Sequence, residues 1–132
     1  MRPENLLLLD TGALKLCCYG LTTHLQCYTT KGKEYDGIRY CAPEVYDGEY
    51  SEKSDVWSLG ISLIELSRVN PYPGRDESKL PQSMSSYEFP FEEFDGISEE
   101  MCDFLRECLA KDANERWSVS DLMEVKNGVG GL

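Results

Sequence analysis

A chain of 132 residues suits one small domain, and a hydrophobic content of 41% is enough for a packed core, which excludes wholesale disorder. The 13 basic and 24 acidic residues give a formal net charge of -11, which would repel nucleic acid and anionic membrane surfaces. We expect no secretory leader to accompany the 6 cysteines, because the apolar run from Leu6 to Leu9 is far too short to be one. We therefore expect reduced thiols, a cytoplasmic location, and neither nucleic acid nor membrane as a partner.

Two short apolar segments open the chain. Leu6 to Leu9 and Ala13 to Leu16 flank Asp10-Thr11-Gly12, whose glycine can take the positive φ that a tight turn requires. This pattern predicts a small β-hairpin. Residues 21–40 show no sustained hydrophobic period, and they predict an irregular segment of a length that usually has a function.

Three helices are predicted in the rest of the chain. Ser54 is predicted to cap a helix whose apolar residues, between Val56 and Leu66, fall on nearly every side, which indicates burial from several directions. The segment Asn70 to Gly74 is expected to end this helix. Ser98 and Ser118 are predicted to cap two further helices, and residues 127–132 are predicted to form a glycine-rich, flexible tail.

Five short motifs follow one another along the chain. They are Arg2-Pro3-Glu4-Asn5, Lys15 to Gly20, Ala42-Pro43-Glu44, Asp55 to Gly60 and Lys111 to Arg116. Their order and spacing resemble those of the eukaryotic protein kinase domain. The stretch from Lys53 to Leu66, followed by Pro71-Tyr72-Pro73, is most similar to MAP kinase kinases and their Ste20-like relatives.

The resemblance implies an α+β, mainly helical fold for residues 1–126. This part would be a partial kinase domain, from the end of the catalytic loop to the last helices of the C-terminal lobe, with a short leading β-hairpin. By the spacing H-R-D-x-x-x-x-N, the catalytic Asp would fall immediately before Met1. The nucleotide-binding lobe would lie further upstream.

The resemblance also assigns the nucleotide and metal chemistry to a few residues. Asn5 matches the catalytic-loop Asn that holds Mg²⁺ through its side-chain oxygen, and Arg2 sits where Ser/Thr kinases carry a Lys near the transferred phosphate. Cys18 replaces the D-F-G Asp, and a soft thiol is a poor ligand for Mg²⁺. Arg2 and Asn5 are therefore the candidate catalytic residues, Asn5 the candidate metal ligand, and Asn5 with Cys18 the cofactor-facing positions.

The residues between Cys18 and Glu44 correspond to the activation segment of a kinase. The candidate phosphate acceptors in it are Thr22, Thr23, Thr29 and Thr30. Ile38 replaces the Thr that usually follows the glycine, and with it a hydroxyl contact to the catalytic loop. Glu44 is expected to form a buried ion pair with Arg116, and Asp55 to be a buried acid that accepts hydrogen bonds from the catalytic-loop backbone.

Two functions fit this resemblance. A complete domain would transfer phosphate from ATP, with Mg²⁺, to Ser or Thr hydroxyls of protein substrates in signalling. The alternative is a non-catalytic pseudokinase or truncated form that binds other signalling kinases or scaffolds, which the missing base and Cys18 favour. This chain alone is expected to bind neither ATP nor Mg²⁺.

Overall fold

The computed structural model describes residues 1–17 and 37–128 of the chain. Two antiparallel strands open the chain and helices dominate the rest, which confirms the predicted mainly helical α+β fold with a leading hairpin. The strands are β1 (Leu6–Leu8) and β2 (Leu14–Leu16), and the helices are α1 (Pro43–Tyr46), α2 (Glu52–Leu66), α3 (Leu80–Ser83), α4 (Glu99–Cys108) and α5 (Val119–Gly128). Short 3-10 turns occupy Pro3–Asn5, Ile38–Tyr40, Glu77–Lys79, Met84–Ser86 and Phe91–Glu93. Among the described helices, none combines the length and the apolar character needed to cross a membrane.

The leading hairpin forms where the two apolar segments predict it. Strand β1 pairs with β2 in the register Leu6↔Leu16 and Leu8↔Leu14. Gly12 has φ +80° and its N–H donates to the Leu9 carbonyl at 2.8 Å, which closes the turn as the sequence predicts. Both strands remain largely exposed.

Helix α2 begins earlier than predicted. Ser51 is its N-cap, and Ser51 and Ser54 form a capping box in which the Ser51 N–H donates to Ser54 Oγ at 3.2 Å. The prediction that Ser54 is the cap was wrong, because Ser54 lies within the first turn. The helix ends at Leu66, before Asn70, because Arg68 takes the left-handed conformation with φ 63°.

Burial of helix α2 agrees with its apolar pattern. Trp57, Ile61 and Ile64 have 0% exposed surface. Ser58 and Ser62 are also buried, and their hydroxyls are satisfied. Ser62 donates to the Ser58 carbonyl at 2.7 Å, and Ser58 shares its one hydroxyl proton between the Tyr40 carbonyl at 2.8 Å and the Ser54 carbonyl at 3.1 Å. The helix is therefore the centre of the described core.

The described core continues into a cluster of aromatic rings after α2. Tyr72, Tyr87 and Phe89 contact one another with ring centroids 5.1–5.9 Å apart, and Phe89 contacts Trp57 at 5.7 Å. This segment has no helical or strand period in the sequence. Its turns are fixed by tertiary packing of the rings against α2.

Helices α4 and α5 close the described chain. Ser98 caps α4 as predicted, since its Oγ accepts from the Met101 N–H at 3.3 Å. Ser118 accepts from the Asp121 N–H at 3.2 Å before α5. Helix α5 runs through Gly128 and so includes the first residues of the predicted tail, while residues 129–132 lie outside the described part of the chain. A domain boundary after residue 126 remains a prediction.

Candidate functional site

The structure brings together Glu44 and Arg116, which the sequence pairs. The Arg116 Nη1 atom donates to Glu44 Oε1 at 2.7 Å, and Nη2 donates to Glu44 Oε2 at 3.0 Å. This is a two-point contact between a guanidinium and a carboxylate, which is stronger and more directional than a single charge contact. Arg116 is only 1% exposed, so water screens the pair very little.

Backbone carbonyls complete the surroundings of Arg116. Its Nε donates to the Ala110 carbonyl at 2.8 Å, Nη1 donates to Lys53 O at 3.0 Å, and Nη2 donates to Lys111 O at 3.3 Å. The guanidinium carbon also lies 5.0 Å from the centroid of the Trp57 ring. Arg116 therefore ties three parts of the chain together: helix α1, the start of α2, and residues 110–116.

Ser54 joins Glu44 and Arg116 in one hydrogen-bonded cluster, which we call the Glu44–Arg116 joint. Its hydroxyl donates to Glu44 Oε1 at 2.9 Å, so the Glu44 carboxylate accepts from both Ser54 and Arg116. Burial alone would raise the pKa of Glu44, but these hydrogen bonds and the positive charge of Arg116 outweigh burial and hold the pKa below its ordinary value. Glu44 is therefore ionised at neutral pH, as the ion pair requires.

A second hydrogen-bonded joint, formed by Arg39, Tyr40 and Glu65, was not predicted from the sequence. Tyr40 donates through its hydroxyl to Glu65 Oε2 at 2.5 Å, and Arg39 Nη2 lies 2.9 Å from Glu65 Oε1. Arg39 Nη1 also lies 3.2 Å from Glu77. Burial, followed by the bond to Glu65, raises the pKa of Tyr40, so its hydroxyl keeps the proton it donates.

This second joint fixes residues 37–44 on helix α2. Backbone contacts support it, because Ser58 donates to the Tyr40 carbonyl at 2.8 Å and Tyr72 donates to the Arg39 carbonyl at 2.8 Å. The one signal in the sequence is Glu65, an acid within a helix that is otherwise apolar on nearly every side. The result is a rigid surface next to Glu44.

Arg2 and Asn5 lie at the start of the chain, in the turn before β1. The Arg2 Nε atom is 3.1 Å from a Glu4 carboxylate oxygen. The Asn5 carbonyl accepts from the Cys17 N–H at 2.8 Å, which places the Asn5 backbone beside the end of β2. Cys18 itself lies outside the described residues, as do the candidate acceptors Thr22, Thr23, Thr29 and Thr30.

Asp55 lies near the same end of the chain. One of its carboxylate oxygens accepts from the Tyr50 hydroxyl at 3.0 Å and lies 4.0 Å from the Met1 amine. The side chain is 48% exposed in the described part of the chain, and its expected role as a buried acid that accepts hydrogen bonds from the catalytic-loop backbone stays a prediction. From the first turn of α2, the Asp55 carboxylate therefore reaches the loop residue Tyr50 and the start of the chain.

Of the two residues expected next to a magnesium ion, only Asn5 lies within the described part of the chain. Within residues 1–17 and 37–128, no group of three His, Cys, Asp or Glu side chains is arranged to hold a metal. Asn5 offers one amide oxygen, but the other expected ligand position carries the Cys18 thiol. Mg²⁺ requires hard oxygen ligands, and a thiol does not replace a carboxylate in that role.

Comparison with known proteins assigns a family to residues 1–126, which match the family described as "Protein kinase domain". The chain is 34% identical over 127 residues to "Serine/threonine-protein kinase pakH" of Dictyostelium discoideum, covering 94% of this chain and 25% of the relative. It is 33% identical over 132 residues to "Calcium-dependent protein kinase 4" of Plasmodium berghei and of Plasmodium falciparum, with the same coverage, 94% and 25%. The chain thus spans about a quarter of the length of these curated relatives.

Proposed function

Because the chain belongs to the protein kinase domain family, we propose that it forms the protein-binding, C-terminal-lobe part of a pseudokinase of the Ser/Thr type. The observation that carries the proposal is Cys18, which stands where the family places the metal-binding Asp. A neutral or anionic thiol offers Mg²⁺ no hard oxygen. The domain would therefore bind protein partners without transferring phosphate.

The contacts around Glu44 support retention of a binding surface. Glu44, Arg116 and Ser54 form a complete hydrogen-bonded joint, and the segment from Gly37 to Glu44 is held on α2 by Arg39 and Tyr40. In the family this side of the lobe faces the protein substrate. A surface held by these contacts, in a domain with an impaired metal site, is suited to recognition without catalysis.

Ile38 adds a second, independent argument. In the family, a Thr at the corresponding position contacts the catalytic loop through its hydroxyl, and Ile38 has no hydroxyl. Its carbonyl instead accepts from the Tyr46 hydroxyl at 2.7 Å, a contact within the segment itself. The segment is thus held in place without a link to the catalytic loop through this side chain.

The second candidate is an active Ser/Thr protein kinase. It is favoured by the names of the relatives, which are protein kinases, and by Asn5 and Arg2 at the expected catalytic-loop positions. In that case ATP and Mg²⁺ would be the cofactors and protein hydroxyls the substrates. Within either candidate, the stretch from Lys53 to Leu66 leads us to propose a MAP kinase kinase or Ste20-like subtype.

Substitution at Cys18 separates the two candidates. The natural full-length protein, purified from its host, is compared with Cys18→Asp and with Cys18→Asn, which has the same shape without the charge. We expect no Mg²⁺-dependent gain in ATP affinity for the natural protein or Cys18→Asn, and a gain of at least about tenfold for Cys18→Asp. Calorimetric titration of ATP with and without Mg²⁺ measures this difference.

Phosphotransfer is measured on the same samples with radiolabelled ATP and a mixture of Ser/Thr peptides. Mg²⁺-dependent labelling by the natural protein that disappears in Asn5→Ala would overturn the pseudokinase proposal and establish the second candidate. The intact mass of the protein in its host shows which domains accompany this chain in these assays.

A further inference from the structure

Tyr50 differs from the other described tyrosines in its exposure. It lies in the loop between α1 and α2 and is 48% exposed. The remaining described tyrosines are buried or half-buried, and each donates its hydroxyl to a group within the fold: Tyr40, Tyr46, Tyr72 and Tyr87. Within residues 1–17 and 37–128, Tyr50 is thus the phenol that an enzyme can reach without unfolding the core.

The Tyr50 hydroxyl has a specific partner. It donates to Asp55 Oδ1 at 3.0 Å, and the same oxygen lies 4.0 Å from the Met1 amine. Asp55 is in the first turn of α2. The contact therefore connects an exposed loop residue to the helix start and to the beginning of the chain.

Most of the charge around Tyr50 is negative. Tyr50 lines a cavity of about 440 Å³ whose charged walls are Glu44, Glu49, Glu52 and Lys53. Glu44 is already paired with Arg116, and the Lys53 amine donates to the Asn114 carbonyl at 3.2 Å. A new anion on Tyr50 would meet Asp55 and two exposed carboxylates, with Lys53 as the one basic side chain in the cavity wall.

We propose that Tyr50 is a phosphorylation site for a partner tyrosine kinase, and that its phosphate breaks the Tyr50–Asp55 contact and releases the start of helix α2. The phenol oxygen forms a bond to the γ-phosphorus of ATP while the bond to the bridging oxygen of ADP breaks, and ADP leaves with that electron pair. The phenol proton passes to a base of the partner kinase. This inference does not depend on the chemistry of Cys18.

The negative charges near Tyr50 explain why a phosphate there would break the contact with Asp55. A tyrosine phosphate carries about -1.5 to -2 charges at pH 7, and the former phenol oxygen no longer has a proton to donate to a carboxylate. The hydrogen bond to Asp55 is therefore replaced by repulsion between two anions, and Glu49 and Glu52 add to it. Because Tyr50 and Asp55 are both partly exposed, salt should weaken this repulsion.

The first test maps where phosphate is added. The natural full-length protein is treated with a broad-specificity tyrosine kinase and ATP, and phosphotyrosine is located by peptide mass spectrometry. We expect the initial rate at Tyr50 to exceed the rates at Tyr46, Tyr72 and Tyr87 by at least about tenfold, and Tyr46→Phe to leave it unchanged. Equal or faster labelling of those three tyrosines would overturn the assignment of the site.

The second test measures the consequence on the unsubstituted protein, so it does not depend on a variant folding. We expect phosphorylation to speed amide hydrogen exchange at residues 51–55 by at least about threefold, with a smaller change in high salt. In Asp55→Asn, which removes the carboxylate charge, phosphorylation should change exchange by less than half as much. Exchange that is identical before and after phosphorylation would overturn the proposed release of α2.

Discussion

Replacing Arg116 with Met removes the guanidinium but keeps an unbranched side chain of similar length in the same space. The variant loses both hydrogen bonds to Glu44 and the hydrogen bonds to three backbone carbonyls. The Glu44 carboxylate, whose side chain is only 15% exposed, is left without the guanidinium. Removing one member of a buried ion pair costs about 3–5 kcal/mol of unfolding free energy. At an unfolding entropy of about 2.1 cal/mol/K per residue, this lowers the midpoint temperature of a chain of 132 residues by roughly 11–18 °C.

Thermal and urea unfolding followed by tryptophan fluorescence measure this loss, because Trp57 lies against Arg116. Arg106→Met is the matched control: its guanidinium lies 2.7 Å from Asp103, but the side chain is 43% exposed. An exposed pair contributes at most about 1 kcal/mol, so the control should shift the midpoint by no more than about 4 °C. Equal shifts for the two variants, or a loss below about 1 kcal/mol for Arg116→Met, would show that the buried joint does not hold the described helices together.

Three further changes test separate parts of the fold. The pKa of Glu44 is held below its ordinary value, so the ionised Glu44 stabilises the fold above that ordinary value, and this stability is lost as the pH falls through the folded pKa. Glu44→Gln should therefore show a smaller drop in the thermal unfolding midpoint between about pH 5 and pH 3 than the natural chain. An equally steep drop in the variant would contradict this role of Glu44. Gly60→Val should destabilise by about 1–3 kcal/mol in urea unfolding, because a Cβ at Gly60 would lie 2.9 Å from Leu109 Cδ2, and an unchanged midpoint would show that the contact relaxes freely. Ser51→Ala should cost about 1 kcal/mol as a lost N-cap, whereas Ser67→Ala, at the other end of α2, should cost less; the reverse order in the same assay would refute the cap assignment.

Turns and helix caps could be predicted from the sequence where a single residue determines them. Gly12 takes the positive φ that the hairpin turn needs, and Ser98 caps α4. The start of α2 was misplaced because Ser51 and Ser54 are both suitable caps, and propensity alone does not choose between them. Their reciprocal hydrogen bonds, visible only in the structure, assign the cap to Ser51.

Of the contacts between residues distant in the sequence, one was predictable and another was not. The closeness of Glu44 and Arg116 followed from a resemblance that already pairs the two positions. Tyr40 and Glu65 belong to no pairing motif used for prediction, so their contact depends on how residues 37–44 cross α2. The exposure of the Asp55 side chain in the described residues likewise depends on which segments cover it rather than on its place in a helix.

The Glu44–Arg116 joint and the Cys18 position bear on different properties, which is why they need not change together. The Glu44–Arg116 joint acts on folding, because breaking the hydrogen bonds of a buried Arg lowers the free energy of unfolding. Under the proposed function, Cys18 bears on metal affinity, since a thiol in place of a carboxylate removes a hard oxygen ligand. A chain under selection for binding alone can lose the ligand without losing the joint, whereas loss of the joint would remove the surface as well. An intact joint together with a thiol at the metal position is therefore the combination expected of a domain that keeps its recognition surface without phosphotransfer.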